Sequence, residues 1–191
     1  MSFGSVLRLR SAFVASSLLL ASCATSSKLQ TSSGPEQTFS MSGGGTETSA
    51  TISADGAEGP QVNVGRYDGG KTLRGTAFNR PLELSVDEGA GTATGVWGQI
   101  PMNLNVTEEG DTLKAQGLIA GQPSSFTASK ERIDGAMGPC SYDLRRNGEV
   151  YNGSRSCGSG LSQVTVRFPS NIGRWKPINA ALLMSVLMSS P

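Results

Sequence analysis

The stretch GTAFNRPLELSV, residues 75–86, decides the fold of this 191-residue chain. It begins with a glycine, turns ahead of Pro81, and ends in a run in which apolar and polar residues alternate. Two further stretches, GVWGQIPMNLNV at 95–106 and GLIAGQPSSFTA at 117–128, keep the same spacing between glycine and proline. The chain therefore contains an internal repeat with a period of about 20 residues.

The alternation within each repeat predicts the fold class. A strand with one buried and one solvated face shows a period of two, and a succession of such strands joined by short turns forms an antiparallel meander. A glycine in the middle of a strand indicates a sharp bend. We predict an all-β domain over residues 61–170, an up-and-down meander curled into a barrel or barrel-like sheet of roughly 8–11 short strands.

Strand length favours a soluble barrel with an apolar interior over a membrane-spanning one. A strand that crosses a bilayer needs about 9–11 residues, and the alternating runs here are shorter. An apolar interior would suit a small apolar ligand if the barrel is wide enough. The side chains that would line such a ligand are Leu84, Trp97, Leu104, Phe126 and Met137.

The N-terminus has the pattern of an export signal. Arg8 and Arg10 precede a ten-residue apolar and small-residue stretch, 11–20, which is too short to span a bilayer. The stretch ends in Leu20-Ala21-Ser22-Cys23, a leucine, two small residues and a cysteine. This arrangement resembles the lipobox of bacterial lipoprotein precursors. An ordinary secretory signal, cleaved at small residues beside an incidental cysteine, is the alternative.

The resemblance implies a lipid anchor at Cys23. Residues 1–22 would be removed, the Cys23 thiol would carry a diacylglycerol, and the new amine would be acylated, for example by palmitate. Two or three acyl chains give stable membrane attachment, whereas one chain gives only marginal binding. Ala24 and Thr25 lack the Asp of inner-membrane retention. The implied location is the bacterial cell envelope, at the outer membrane if the host is Gram-negative.

The segment after the lipobox is rich in Ser, Thr and Gly. Residues 24–60 contain only four large apolar side chains, too few to offset the entropy of ordering. We therefore predict a flexible tether over 23–60. As an alternative for part of it, Thr38–Ser42 and Ser49–Ser53 alternate like strands and would pair around Gly43-Gly44-Gly45.

The remaining cysteines form a pair. With Cys23 carrying lipid, Cys140 and Cys157 are left as an even number in an oxidising compartment, which predicts a disulfide. Asn147-Gly148 between alternating runs is a strong hairpin signal. With that turn as the centre, the two cysteines fall within a residue or two of facing each other across the last hairpin.

The last segment, 171–191, differs in character from the β domain. Pro177 precedes an almost uncharged apolar run over 178–188, and proline is favourable at the first position of a helix. We predict a short helix that packs over one barrel end or an open face. The alternative is an interfacial or partner-binding segment.

Composition argues against several classes of function. The 16 basic and 15 acidic residues leave a net charge of +1, so the composition lacks the excess of Lys and Arg that nucleic-acid binding needs. The absence of His removes the commonest general base and zinc ligand, and no catalytic or nucleotide-binding motif is present. The acidic turns Asp87-Glu88 and Glu108–Asp111 would suit calcium or a glycosidase-type carboxylate pair, but Asp and Glu are also ordinary turn residues.

Two functional hypotheses follow. The first is a lipid-anchored envelope lipoprotein whose disulfide-bonded β domain has a non-enzymatic structural or interaction role. Its partners would be the membrane, through the anchor, and an envelope protein. The second is a carrier or binder of a small apolar ligand in the barrel interior. We expect no catalytic residues, metal or cofactor, and a filled or an empty barrel interior distinguishes the two hypotheses.

Overall fold

A computed structural model describes residues 37–158 and 160–189. Fourteen antiparallel strands form one closed barrel, in which each strand pairs with its neighbours in the chain and the first strand pairs with the last. The predicted all-β, up-and-down barrel is therefore confirmed. The strands are β1 (Thr38–Gly43), β2 (Thr46–Ser53), β3 (Gly56–Glu58), β4 (Val62–Tyr67), β5 (Thr72–Ala77), β6 (Arg80–Asp87), β7 (Thr92–Trp97), β8 (Ile100–Glu109), β9 (Thr112–Ile119), β10 (Gln122–Ala128), β11 (Arg132–Met137), β12 (Cys140–Asn147), β13 (Val150–Cys157) and β14 (Gly160–Arg167).

The barrel begins earlier in the chain than predicted. Strands β4–β14 lie within 61–170, but β1–β3 lie in the segment assigned to the tether, so the tether prediction is wrong from residue 38 onward. Phe39, Met41 and Ile52 are few, but they occupy alternate positions and all are fully buried. A strand needs apolar side chains on one face only. Residues 23–36 of the predicted tether lie outside the described residues.

The alternative interpretation of this segment is confirmed. Strands β1 and β2 form a hairpin in which Phe39 pairs with Ala50, and Gly44 and Gly45 form the turn between them. Strand β1 also pairs with β14, which closes the barrel. The three additional strands explain why the total exceeds the predicted range of 8–11.

Side chains alternate between an apolar interior and a polar exterior. In β6, Leu82, Leu84 and Val86 are buried, whereas Glu83 and Ser85 are exposed. The predicted apolar interior is confirmed. A barrel that spans a membrane has the opposite arrangement, with its apolar band facing outward.

The mid-strand glycines allow adjacent strands to approach closely. Gly75 has φ +156°, and a Cβ atom at this position would overlap the carbonyl oxygen of Asn63 on β4. The predicted sharp bend at the repeated glycines stays a prediction. A Cβ atom would likewise overlap a neighbouring strand's carbonyl oxygen at Gly95, Gly117, Gly135 and Gly153.

The C-terminal helix lies inside the barrel. Helix α1 (Pro177–Met188) starts with proline at its first turn, and every residue of 178–188 is buried. Around a single closed sheet, only the interior can bury a helix on all sides. The expectation that the helix packs over a barrel end or an open face is therefore wrong. No helix within 37–158 and 160–189 is long and apolar enough to cross a membrane.

The width of the barrel explains the position of the helix. Eight strands enclose a space that strand side chains can just fill, and the diameter grows with strand number. Fourteen strands leave an axial space, and an α-helix about 10–12 Å across fills it. The same apolar residues that predict a helix thus complete the core.

The predicted disulfide is confirmed. Cys140 and Cys157 face each other in the β12–β13 hairpin, with their Cα atoms 4.2 Å apart and their sulfur atoms bonded. The turn residues are Gly148 and Glu149, one position later than the predicted centre, and this shift brings the cysteines into register. A disulfide that closes a loop with a sequence separation of 17 stabilises the fold by about 3 kcal/mol in the chain-entropy model.

Candidate functional site

The two ends of the barrel differ in structure. At the helix-start end, the chain turns after β14 and enters the interior, and Trp175 Nε1 donates a hydrogen bond to the Ser53 carbonyl at 3.2 Å. At the helix-exit end, Ser189 follows the helix and its hydroxyl donates to the Met137 carbonyl. The tips of the β1–β2, β5–β6, β7–β8, β9–β10 and β11–β12 hairpins surround the helix-exit end.

A polar cluster fixes the helix at the helix-start end. Asn179 is fully buried, and its Nδ2 donates to Glu88 Oε1 at 2.6 Å. Arg66 Nη2 lies 3.7 Å from the same carboxylate oxygen, and its guanidinium stacks 4.7 Å from the centre of the Trp175 ring. A carboxylate near a helix N-terminus interacts favourably with the helix dipole. This cluster therefore has a structural role in seating α1.

The acidic turns do not combine into a cation site. Glu109 pairs with Lys114 and Asp111 pairs with Lys130, so each of these carboxylates has its own cation. Glu88 is engaged with Asn179. Among the described residues, no group of three or more His, Cys, Asp or Glu side chains could hold a metal ion. The calcium hypothesis therefore has no support at these turns.

The helix-exit end carries a buried relay of hydrogen bonds. The Tyr142 hydroxyl donates to the Met188 carbonyl at the end of α1, and Arg155 Nε donates to the Tyr142 oxygen at 3.1 Å. Arg155 Nη1 also donates to Thr46 Oγ1 at 2.6 Å. A cation near a helix C-terminus interacts favourably with the helix dipole. Burial raises the pKa of the Tyr142 phenol above 10.0, and the charge of Arg155 opposes that rise.

Tyr142→Phe is expected to destabilise the barrel at neutral pH by about 1–2 kcal/mol, because the Met188 carbonyl loses its donor and Arg155 loses an acceptor. Since the folded-state pKa of Tyr142 is raised, its contribution is complete below about pH 10 and declines as the pH rises through the folded-state value. The stability difference between the wild type and Tyr142→Phe should therefore shrink above pH 10. Urea unfolding at pH 7 to 11 measures it.

The matched control for this prediction is Tyr67→Phe, because Tyr67 is exposed. The control should leave the free energy of unfolding close to that of the wild type throughout the pH range. A stability difference for Tyr142→Phe that stays constant up to pH 11 would contradict the assigned coupling between the phenol and the helix end.

A cleft of about 260 Å³ opens at the helix-exit end. We call it the mouth cleft. Its floor includes Ser189, directly after α1, and its walls come from consecutive hairpin tips. The residues that line it are Phe78, Arg80, Trp97, Ala120, Gln122, Pro139 and Ser189.

The aromatic wall of the mouth cleft depends on an unusual turn. Phe78 and Asn79 form the two-residue turn between β5 and β6, with φ of 51° and 60°. The equivalent first turn positions in the β7–β8 and β11–β12 hairpins are Gly98 and Gly138, which adopt positive φ without a side-chain penalty, and that in the β9–β10 hairpin is Ala120, with φ of 50°. A bulky residue with positive φ is an outlier. Phe78 places its ring centroid 6.2 Å from that of Trp97.

The five predicted lining residues lie deep in the barrel. All are at most 3% exposed and belong to the same core cluster as the residues of α1, so the helix occupies the space assigned to a ligand. Only Trp97 also borders the mouth cleft. The five predicted lining residues are Leu84, Trp97, Leu104, Phe126 and Met137.

The predicted lipidation site, Cys23, lies outside the described residues.

Sequence reasoning missed Phe78, Arg80 and Gln122. The available signal was the residue before each repeated proline, which is Arg80, Ile100 or Gln122. These positions share the inward parity of the buried strand residues, so a charged side chain there departs from the pattern. The mouth cleft combines ring surfaces, a cation and an amide.

The scan against protein-family models and the searches of curated proteins and solved structures find no match to this chain.

Proposed function

We propose that this chain is a lipid-anchored lipoprotein of the bacterial cell envelope, and that its barrel has a non-enzymatic structural or interaction role. The observation that carries the role of the barrel is its filled interior, because every residue of 178–188 is buried within the sheet. The anchor is supported by Leu20-Ala21-Ser22-Cys23 and the basic and apolar stretches that precede it. The disulfide supports an oxidising compartment.

The anchor would limit how far the barrel lies from the membrane. Strand β1 starts at the helix-start end, since Thr38 pairs with Thr51 and the β1–β2 turn lies at the other end. Between Cys23 and Gln37 lie residues 24–36, a length that could reach at most about 50 Å when fully extended.

The alternative, carriage of an apolar ligand inside the barrel, requires α1 to leave the interior. Leu84, Leu104 and Phe126 are buried in one cluster with the helix. A ligand at these residues would have to replace the apolar surface that α1 now buries. Binding at the lumen therefore predicts release of the helix, whereas an interaction role through the outer surface and the ends does not.

Labelling of bacterial cells with radioactive palmitate tests the anchor. The wild type should incorporate label, and its intact mass should match residues 23–191 plus two or three acyl chains. Cys23→Ala should incorporate none, because it lacks the thiol that receives the diacylglycerol. Ser22→Ala, which keeps a small residue before the cysteine, is the matched control and should be labelled like the wild type. An unlipidated wild-type mass would overturn the anchor.

A further inference from the structure

The mouth cleft contains a charged side chain at a strand position that shares the inward parity of buried apolar residues. Arg80 has the same inward parity as Leu82 and Leu84 in β6, and it occupies the outermost position of that column. The equivalent residue in β8 is Ile100. Gln122 occupies the same position in β10. Two polar side chains therefore stand at the helix-exit ends of two inward-facing columns, Arg80 above Leu82 and Gln122 above Ser124.

The guanidinium of Arg80 is available to a ligand. The Arg80 side chain makes no hydrogen bond, ion pair or ring contact with any other residue in 37–158 or 160–189. Its aliphatic part runs beside Gly98, where an added Cβ atom would lie 3.7 Å from Arg80 Cδ. This packing directs the side chain along the rim of the cleft.

The accessible ring surface of the aromatic wall comes mainly from the half-buried Phe78, because Trp97 is only 3% exposed. The indole Nε1 of Trp97 already donates to the Ala77 carbonyl at 3.2 Å, so the indole presents no free donor. The half-buried Phe78 ring lies against it in a tilted arrangement. Phe78 keeps a backbone conformation that glycine would adopt without strain, and such strain is characteristic of functional positions.

We propose that the mouth cleft binds a small organic anion composed of an apolar ring and one carboxylate. The ring would pack against Phe78 and Trp97, and the carboxylate would accept hydrogen bonds from Arg80 and the Gln122 amide. The volume of about 260 Å³ lies below the range of roughly 300–1,000 Å³ for larger ligands, which suits one ring. This inference goes beyond the envelope role and does not depend on lipidation.

The same chemistry is offered by a free aromatic acid and by the C-terminal phenylalanine of a peptide. Titration of the ¹⁵N-labelled full chain with 3-phenylpropionate and, separately, with N-acetyl-Gly-Phe distinguishes these sources. We expect saturable shifts of the Trp97 indole N–H signal with at least one probe. The Trp175 indole signal, at the opposite end of the barrel, should not move. The tighter probe identifies the source.

Charge is tested with a matched pair of variants and an uncharged probe. Arg80→Gln should weaken binding of the tighter probe at least tenfold. Arg145→Gln, which removes an exposed arginine from the outer wall of β12, should bind like the wild type. If 3-phenylpropionate binds, its amide, 3-phenylpropanamide, should bind at least tenfold more weakly, because the carboxylate is lost.

Phe78→Gly tests the aromatic wall at a turn whose backbone conformation glycine adopts without strain. Glycine adopts the positive φ of this turn, so the variant should remain folded while binding falls at least tenfold. Lack of saturable Trp97 shifts with both probes would overturn the proposal. So would wild-type affinity in Arg80→Gln, or wild-type affinity in a folded Phe78→Gly.

Discussion

Leu182→Asp is expected to leave little folded protein at 25 °C. Leu182 is fully buried in a helix that is itself buried on all sides. Loss of a buried leucine side chain costs about 2–5 kcal/mol, and a carboxyl group without a partner adds several kcal/mol more. The free energy of unfolding of a domain is about 5–15 kcal/mol, so the two losses together approach or exceed it. Urea unfolding followed by tryptophan fluorescence measures the effect.

Two substitutions separate the position of the helix from the chemistry of the new side chain. Leu182→Met keeps the volume and the apolar character, so it should cost less than about 1.5 kcal/mol. Leu161→Asp introduces the same carboxyl group at a leucine that is 73% exposed on β14, and it should change the free energy of unfolding by about 0.5 kcal/mol or less. A folded Leu182→Asp with a wild-type urea midpoint would contradict the placement of α1 inside the barrel.

The location of α1 could not be predicted because sequence patterns report an element's environment and not its partner. The run 178–188 is apolar on every side, which indicates a fully buried helix. Its position depends on the width of the barrel, and that width depends on the number of strands. Because β1–β3 were assigned to a tether, the predicted barrel was narrower, and its interior was assigned to strand side chains or a small ligand.

The tether prediction was wrong at β1–β3 because the composition of a segment does not record which face of a strand each apolar residue occupies. A segment with few large apolar residues cannot fold alone, and the estimate of a tether rests on that rule. Phe39 and Met41 nevertheless fall on one face of β1. Strand β1 pairs with β14, and β3 pairs with β4, so the segment β1–β3 has a partner strand on each side. Long-range pairing therefore orders a segment that local composition describes as flexible.

The mouth cleft shows a similar limit. The repeat predicted Trp97 among the inward residues, and the structure confirms that position. It did not predict that Phe78 would lean toward Trp97, since the direction of a turn side chain depends on positive φ angles that the sequence does not report. Arg80 carried a usable signal, because it is a charge at an inward-parity position.

Gly135→Ala is expected to destabilise the barrel by about 2–6 kcal/mol, the sum of a conformational and a packing cost. Gly135 in β11 has φ +118°, a conformation that costs a non-glycine residue about 1–3 kcal/mol. A Cβ atom there would also overlap the Ser125 carbonyl oxygen and crowd Phe126 on β10, which adds about 1–3 kcal/mol for overpacking. Urea unfolding of the variant and the wild type measures the difference.

Gly148→Ala separates the two contributions. Gly148 has φ +65° in the β12–β13 turn, and no atom lies within 4 Å of the position that a Cβ atom would take. This variant should therefore cost about 1–2 kcal/mol, for the left-handed conformation alone. The larger loss at Gly135 would then measure the close approach of adjacent strands, which the mid-strand glycines repeat along the barrel. Equal losses at the two positions would reduce those glycines to a conformational role and contradict their assignment as sites of close approach between adjacent strands.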